Sequence, residues 1–207
     1  MLDTLNNLVI ADFWQIVISV VASVFVVYLI EWLKQPSATI ELVSPLNHTD
    51  GRKFLKVKVK ISKNNILKKI FPWQNPATLA RLKAYLIECV CEKEVVVAEY
   101  TVKWDTRPEP WNYETNKPRL EFLPFASEPE NMLSGDEISA SVAVKHPNEK
   151  HFYIYDGNYY VNQTNNSIDK SMIKLRLIFS SSSVSAQREF IITNEGKSTD
   201  KFELKVL

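Results

Sequence analysis

Glycine is nearly missing from this sequence, at four of 207 residues. Loops that cradle phosphate through backbone N–H groups need several glycines close together, so the P-loop and the dinucleotide fingerprint are both excluded. No G-x-S-x-G occurs, and only three histidines are present, His48, His146 and His151. His146 and His151 lie in the polar stretch "KHPNEKH", and neither stands at a metal-ligand spacing from a cysteine. Cysteine itself is limited to Cys89 and Cys91, one residue apart. On a strand both would point to one face, poorly placed to bridge separate segments, so there is no disulfide framework and the pair reads as small buried hydrophobes. These shortages argue against an enzyme, and no cofactor or metal is expected.

Two absences of charge are more informative. Asp and Glu do not occur between Gly51 and Ile87, a span that holds ten Lys and Arg residues, while the whole chain carries a net charge of only +1. A segregated basic block suits an anionic partner, such as lipid headgroups, nucleic acid or a phosphorylated ligand. It equally suits a solvated strand face whose acidic partners come from distant segments. Lys and Arg are in turn absent ahead of Lys34.

Hydrophobic residues are plentiful, at 45% of the chain. The run "FWQIVISVVASVFVVYLIEWL", Phe13 to Leu33, is apolar on every side through Ile16–Ile30 except at Ser19, Ser23 and Tyr28. Trp14 and Trp32 bracket it roughly 27 Å apart at helical rise, close to the hydrocarbon thickness of a bilayer. That is the spacing of an aromatic belt at both interfaces. A basic leader and a small-residue cleavage site are both missing, so an uncleaved single transmembrane helix is expected. The lysine and arginine bias places the N-terminus outside and the remainder in the cytoplasm, at an inner or cytoplasmic membrane. Gln15, Ser19, Ala22 and Ser23 share one helix face, where small, weakly polar side chains let helices approach closely; a homo-oligomer follows. The competing reading is that the serines bond their own backbone.

After the helix the sequence reads strand after strand. The expected organisation is a tail 1–12, a transmembrane helix 13–33, a linker 34–37 and a β domain 38–207. "FLKVKVKIS" alternates Leu55, Val57, Val59 and Ile61 against Lys56, Lys58 and Lys60. "LARLKAYLIECVC", "EVVVAEYTVKW", "RLEFLPF", "EISASVAVK", "SMIKLRLIF", "QREFIIT" and "KFELKVL" continue the pattern, with a turn "NEGK" between the last two. About eight or nine short strands without an amphipathic helix between them predict a mainly β fold, an antiparallel sandwich of immunoglobulin-like topology. "KFLKVKVKISKN", "ARLKAYLIE" and "EYTVKW" resemble the opening strands of bacterial immunoglobulin-like adhesion-type domains. The resemblance covers about half of the sandwich and implies the fold alone.

The stretch "KNNILKKIFPW" (63–73) mixes positive and apolar side chains just beyond the anchor. One helical turn there would set Ile66, Leu67 and Ile70 beside Lys68 and Lys69, with the apolar groups at the headgroup boundary and the lysines on anionic lipid. The candidate anion- or lipid-binding residues are therefore Lys56, Lys58, Lys60, Lys63, Lys68, Lys69, Arg81 and Lys83. Phe71 and Trp73 are the interfacial or base-stacking candidates. The expected function is a membrane-anchored binding or scaffolding module whose basic surface faces lipid or a protein partner. The alternative is a ligand-gated effector whose cytoplasmic sandwich binds a cyclic-nucleotide-like ligand and acts through the helix. In architecture it would resemble the membrane effectors of bacterial antiviral defence.

Overall fold

The structure is a computed structural model, and it describes residues 2–34, 37–62, 78–89, 94–108, 111–112, 115, 117–118, 120–122, 128–133, 135–155, 167–182 and 184–207. It contains two units, an N-terminal helix and a mainly β domain.

Helix α1 runs from Leu2 to Lys34. It starts well ahead of the apolar segment, so helix continues through most of the stretch read as a tail. Its segment Phe13–Ile30 is 18 residues of mean hydropathy 2.4 with none of them buried, long and apolar enough to cross a membrane.

The β domain begins with β1 (Ser37–Asn47), β2 (Lys53–Ser62), β3 (Thr78–Cys89), β4 (Glu94–Thr101) and β5 (Lys103–Trp104). Short strands β6 (Trp111–Asn112), β7 (Lys117–Pro118) and β8 (Glu130–Met132) follow. The chain then forms β9 (Glu137–Lys145), β10 (Phe152–Ile154), β11 (Ser167–Ile168), β12 (Met172–Ser180), β13 (Ser185–Asn194) and β14 (Phe202–Val206). One sheet has the order β1-β2-β9-β10-β11, with β5 also paired to β9. The other has the order β14-β13-β12-β3-β4, with β8 also on β3, and β6 with β7 make a small separate ladder. All of these pairings are antiparallel.

Both sheets turn apolar faces to one core. Leu55, Val57, Val59 and Ile61 of β2 meet Leu82 and Ala84 of β3, Ile173, Leu175, Leu177 and Phe179 of β12, and Phe190 and Ile192 of β13. Each fully buried aliphatic side chain contributes about 1.5–3 kcal/mol, so the alternation in "KVKVKI" is enough to fix which way β2 faces.

Three details depart from the simple strand pattern. Of "RLEFLPF", the described residues Leu120–Phe122 form a short 3-10 turn rather than a strand. Pro118 and Pro124 flank it, and each proline withholds the N–H that a ladder needs. "EVVVAEYTVKW" is one pattern but two strands. β4 pairs with β3, Val102 bonds the carbonyl of Leu82 at 2.9 Å, and β5 then joins β9 in the other sheet. Lastly, "FYI", directly after the polar stretch "KHPNEKH" and not among the expected strands, is β10, whose Phe152 and Ile154 enter the core.

Candidate functional site

Lys56, Lys58 and Lys60 of β2 do face outward as their alternation predicts, but each meets an acid brought from far along the chain. Lys56 Nζ lies 2.8 Å from Asp105. Lys58 Nζ lies 2.8 Å from one oxygen of Glu137, and Lys60 binds the other. Glu137 is directly opposite Lys60, and Glu41 directly opposite Lys58. Antiparallel pairing thus supplies the countercharges that the local sequence lacks.

Hydrogen bonds from Lys58 and then Lys60 hold the Glu137 carboxyl down from its ordinary 4.5 to about 2. A depressed carboxylate stabilises the fold above its unfolded value and loses that contribution as pH falls through its folded value. In Glu137→Gln, the part of the acid destabilisation between about 4.5 and about 2 should be missing. The check is the melting temperature of parent and variant from pH 6 down to pH 2, in which the two curves converge at the acid end.

Arg81 and Lys83 belong elsewhere. They flank Leu82, which is buried, so they lie on the outer face of the second sheet, and Lys83 pairs with Glu99 there. The single basic face expected from the sequence is therefore divided between the outer faces of two sheets. Lys63, Lys68, Lys69, Phe71 and Trp73 lie outside the described residues, as does Cys91.

On α1, Gln15, Ser19, Ala22 and Ser23 are all exposed. The Ser19 hydroxyl donates to the Ile16 carbonyl at 2.9 Å and the Ser23 hydroxyl to the Ser19 carbonyl at 2.7 Å. These hydroxyls are satisfied within the helix itself.

A group that the sequence did not single out collects on the outer face of the first sheet. Phe54, Val144, Tyr153 and Tyr155 form a second apolar cluster there, apart from the main core. Beside it lies a cleft of about 430 Å³ whose lining includes Lys56, Lys103, Asp105, Arg107, Ser141 and Tyr155. The β1–β2 turn adds His48 to the same lining. That turn is closed by the Gly51 N–H on the His48 carbonyl at 3.0 Å, with Gly51 at φ 85°, a conformation that suits glycine. The advance signs of the cleft were Lys56, already a candidate anion-binding residue, and "TVKW", where inward Val102 and Trp104 imply an outward Lys103.

The two histidines of "KHPNEKH" are held by neighbours. His151 Nε2 is 2.6 Å from the Tyr153 hydroxyl and 3.2 Å from Glu149. Burial pushes the His146 imidazole below its ordinary value. Among the described residues no three His, Cys, Asp or Glu side chains come together as a metal site would need.

The class defined by these features is a mainly β chain of two antiparallel sheets with one N-terminal helix able to cross a membrane. Compared with protein-family models, curated proteins and solved structures, the chain has no match in any of the three.

Proposed function

We propose that the protein is a single-pass membrane protein whose β domain, an immunoglobulin-like sandwich, serves as a binding or scaffolding module at the cytoplasmic face. One observation carries this reading. Phe13–Ile30 has a mean hydropathy of 2.4 and none of it is buried among the described residues, so its apolar side chains call for an apolar surrounding. In water that exposure is unfavourable at about 25 cal/mol per Å², whereas a bilayer removes it altogether. Trp14 and Trp32 at the two ends and the first cation at Lys34 support insertion with the N-terminus outside. Self-association through the Gln15, Ser19, Ala22 and Ser23 face completes the proposal, since a module on a multimeric anchor gains avidity without any new contact.

The test uses the whole chain. The parent should remain in the membrane pellet after alkaline carbonate extraction. Val20→Arg with Val24→Arg should move it to the supernatant, because each arginine at a helix centre opposes insertion by about 2.5–3.5 kcal/mol. Added protease should reach the β domain only after the cells are opened. Extraction of the parent by carbonate, or digestion of the domain in intact cells, would overturn insertion or orientation respectively.

A further inference from the structure

The two sheets end in four strands, β1 and β11 in the first and β14 and β4 in the second. A terminal strand presents a row of N–H and C=O groups that can pair with another chain, and such edges are commonly guarded. On β1 the Arg188 guanidinium donates to the Ile40 carbonyl at 2.8 Å, and the register shifts between Val43 and Leu46, beside Pro45. Strand β11 is two residues long. Strand β4 carries Glu94 and Glu99 and no cation, so two copies laid edge to edge would bring only like charges together.

Strand β14 differs. The Leu207 N–H donates to the Glu189 carbonyl at 3.2 Å, and the register that sets Val206 against Phe190 makes these two directly opposite. Bonded and unbonded pairs alternate along an antiparallel ladder, so Lys205 and Glu203 bond β13, whereas Val206, Leu204 and Phe202 do not. The N–H and C=O groups of these three therefore point to the open edge, where the Phe202 N–H meets the Thr199 carbonyl at 3.2 Å. The side chains alternate as well. Phe202 and Leu204 are buried, while Glu203 and Lys205 stand on the outer face, 2.9 Å apart and at 47% and 63% side-chain exposure. Val206 and Leu207 end the strand as exposed apolar residues.

The charge pattern of this edge is complementary to itself. A second β14 turned antiparallel about Leu204 sets Glu203 opposite the partner's Lys205, and Lys205 opposite the partner's Glu203. A slip of two residues either way would set Glu203 on Glu203 or Lys205 on Lys205, so charge fixes the register. The backbone matches too: the two Leu204 residues exchange N–H···O bonds, and each Val206 N–H reaches the partner's Phe202 carbonyl. The bond from Phe202 to Thr199 stays intact. Each copy offers the other the same patch, as a twofold interface requires.

We propose that β14 is a dimerisation edge, at which two copies of this chain join their second sheets into one continuous antiparallel sheet centred on Leu204. The contact lies in the β domain, so it stands independently of membrane insertion and of association through the helix.

The experiment is oxidative cross-linking of the full chain in detergent micelles, with copper–phenanthroline as oxidant. Glu203→Cys and Lys205→Cys are placed in separate, differently tagged chains and co-expressed; the parent is the control for its own Cys89 and Cys91. Positions 203 and 205 of the two copies form a pair without hydrogen bonds, with Cα atoms about 4.5 Å apart, a separation that a disulfide spans. Like positions sit on the diagonal, about 7–8 Å apart. Co-expression should therefore give a product carrying both tags, at least about tenfold above the product of either chain alone. Val206→Pro in both chains should cut that product about tenfold, because proline removes an N–H that the partner uses and spares the bonds to β13. Melting transitions are recorded alongside, and the cysteine pair, at two exposed positions, decides the case should Val206→Pro fail to fold. Association through the helix sets no register on β14 and would leave the mixed and single chains alike. Equal yields, no mixed product, or a yield unmoved by Val206→Pro in a folded domain overturns the proposal.

Discussion

Val59→Asp should leave the β domain unable to fold. Val59 is fully buried on β2, opposite Ile40 of β1 and Ile138 of β9, inside the core shared by both sheets. The substitution forfeits about 1.5–3 kcal/mol of apolar burial and places a carboxylate where no partner reaches it, at a further cost of several kcal/mol. Together these approach the whole stability of an ordinary domain, about 5–15 kcal/mol. Circular dichroism of the variant should show no cooperative melting. Lys58→Gln, one residue away on the outer face, should melt within a few degrees of the parent. If Val59→Asp melted like the parent, the register of β2 would be wrong.

Asn194→Ala should cost about 3 kcal/mol or more, from an exchange of one small side chain for another. Lys145, the last residue of β9, is fully buried, and its ammonium donates to the Asn194 side-chain oxygen and, at 2.8 Å, to the Gly196 carbonyl. The ring of Phe202 lies 6.0 Å away. Asn194 in turn donates its amide to the Lys150 carbonyl at 2.8 Å and, more weakly, to that of Lys170 at 3.4 Å. One carboxamide thus joins the ends of both sheets to the β9–β10 connection. Removing it strands a buried charge, whereas Lys145→Met removes the charge along with its requirement for partners. Lys145→Met should therefore be the milder change, at about 1 kcal/mol or less. Urea midpoints for the two variants measure the difference, and a larger loss in Lys145→Met would contradict this account.

The same lysine gives a pH signature with a defined sign. Burial lowers its pKa from the ordinary 10.5, so the folded chain holds this proton less tightly than the unfolded chain. Its contribution is unfavourable at neutral pH and is relieved as pH rises towards 10.5. The stability gap between Lys145→Met and the parent should accordingly shift in the parent's favour between pH 7 and pH 10.

What the sequence determined by itself was periodic or compositional. Eighteen residues without a charge announce a helix that water does not suit, and a strict alternation such as Leu55-Lys56-Val57-Lys58-Val59 leaves one choice of face, because a one-residue slip would bury lysines. Those signals are local, carried by neighbours a few residues apart. Tertiary structure decided the rest, because the partners are remote in sequence. Lys56, Lys58 and Lys60 of the acid-free stretch are paired with Asp105 and Glu137, some fifty to eighty positions downstream, once β5 and β9 pair in the same sheet as β2. The single basic face became two when β2 and β3 joined different sheets. An alternation that reads smoothly through Val142 and Val144 is broken by a bulge that only the pairing with Leu55 and Lys56 reveals. Lys145 reads as a polar strand end and Asn194 as the first residue of the turn "NEGK", yet their side chains close on each other. Pairing in β structure sets contacts by register across the sheet rather than by distance along the chain, which is why the strands were legible and the cleft at their junction was not.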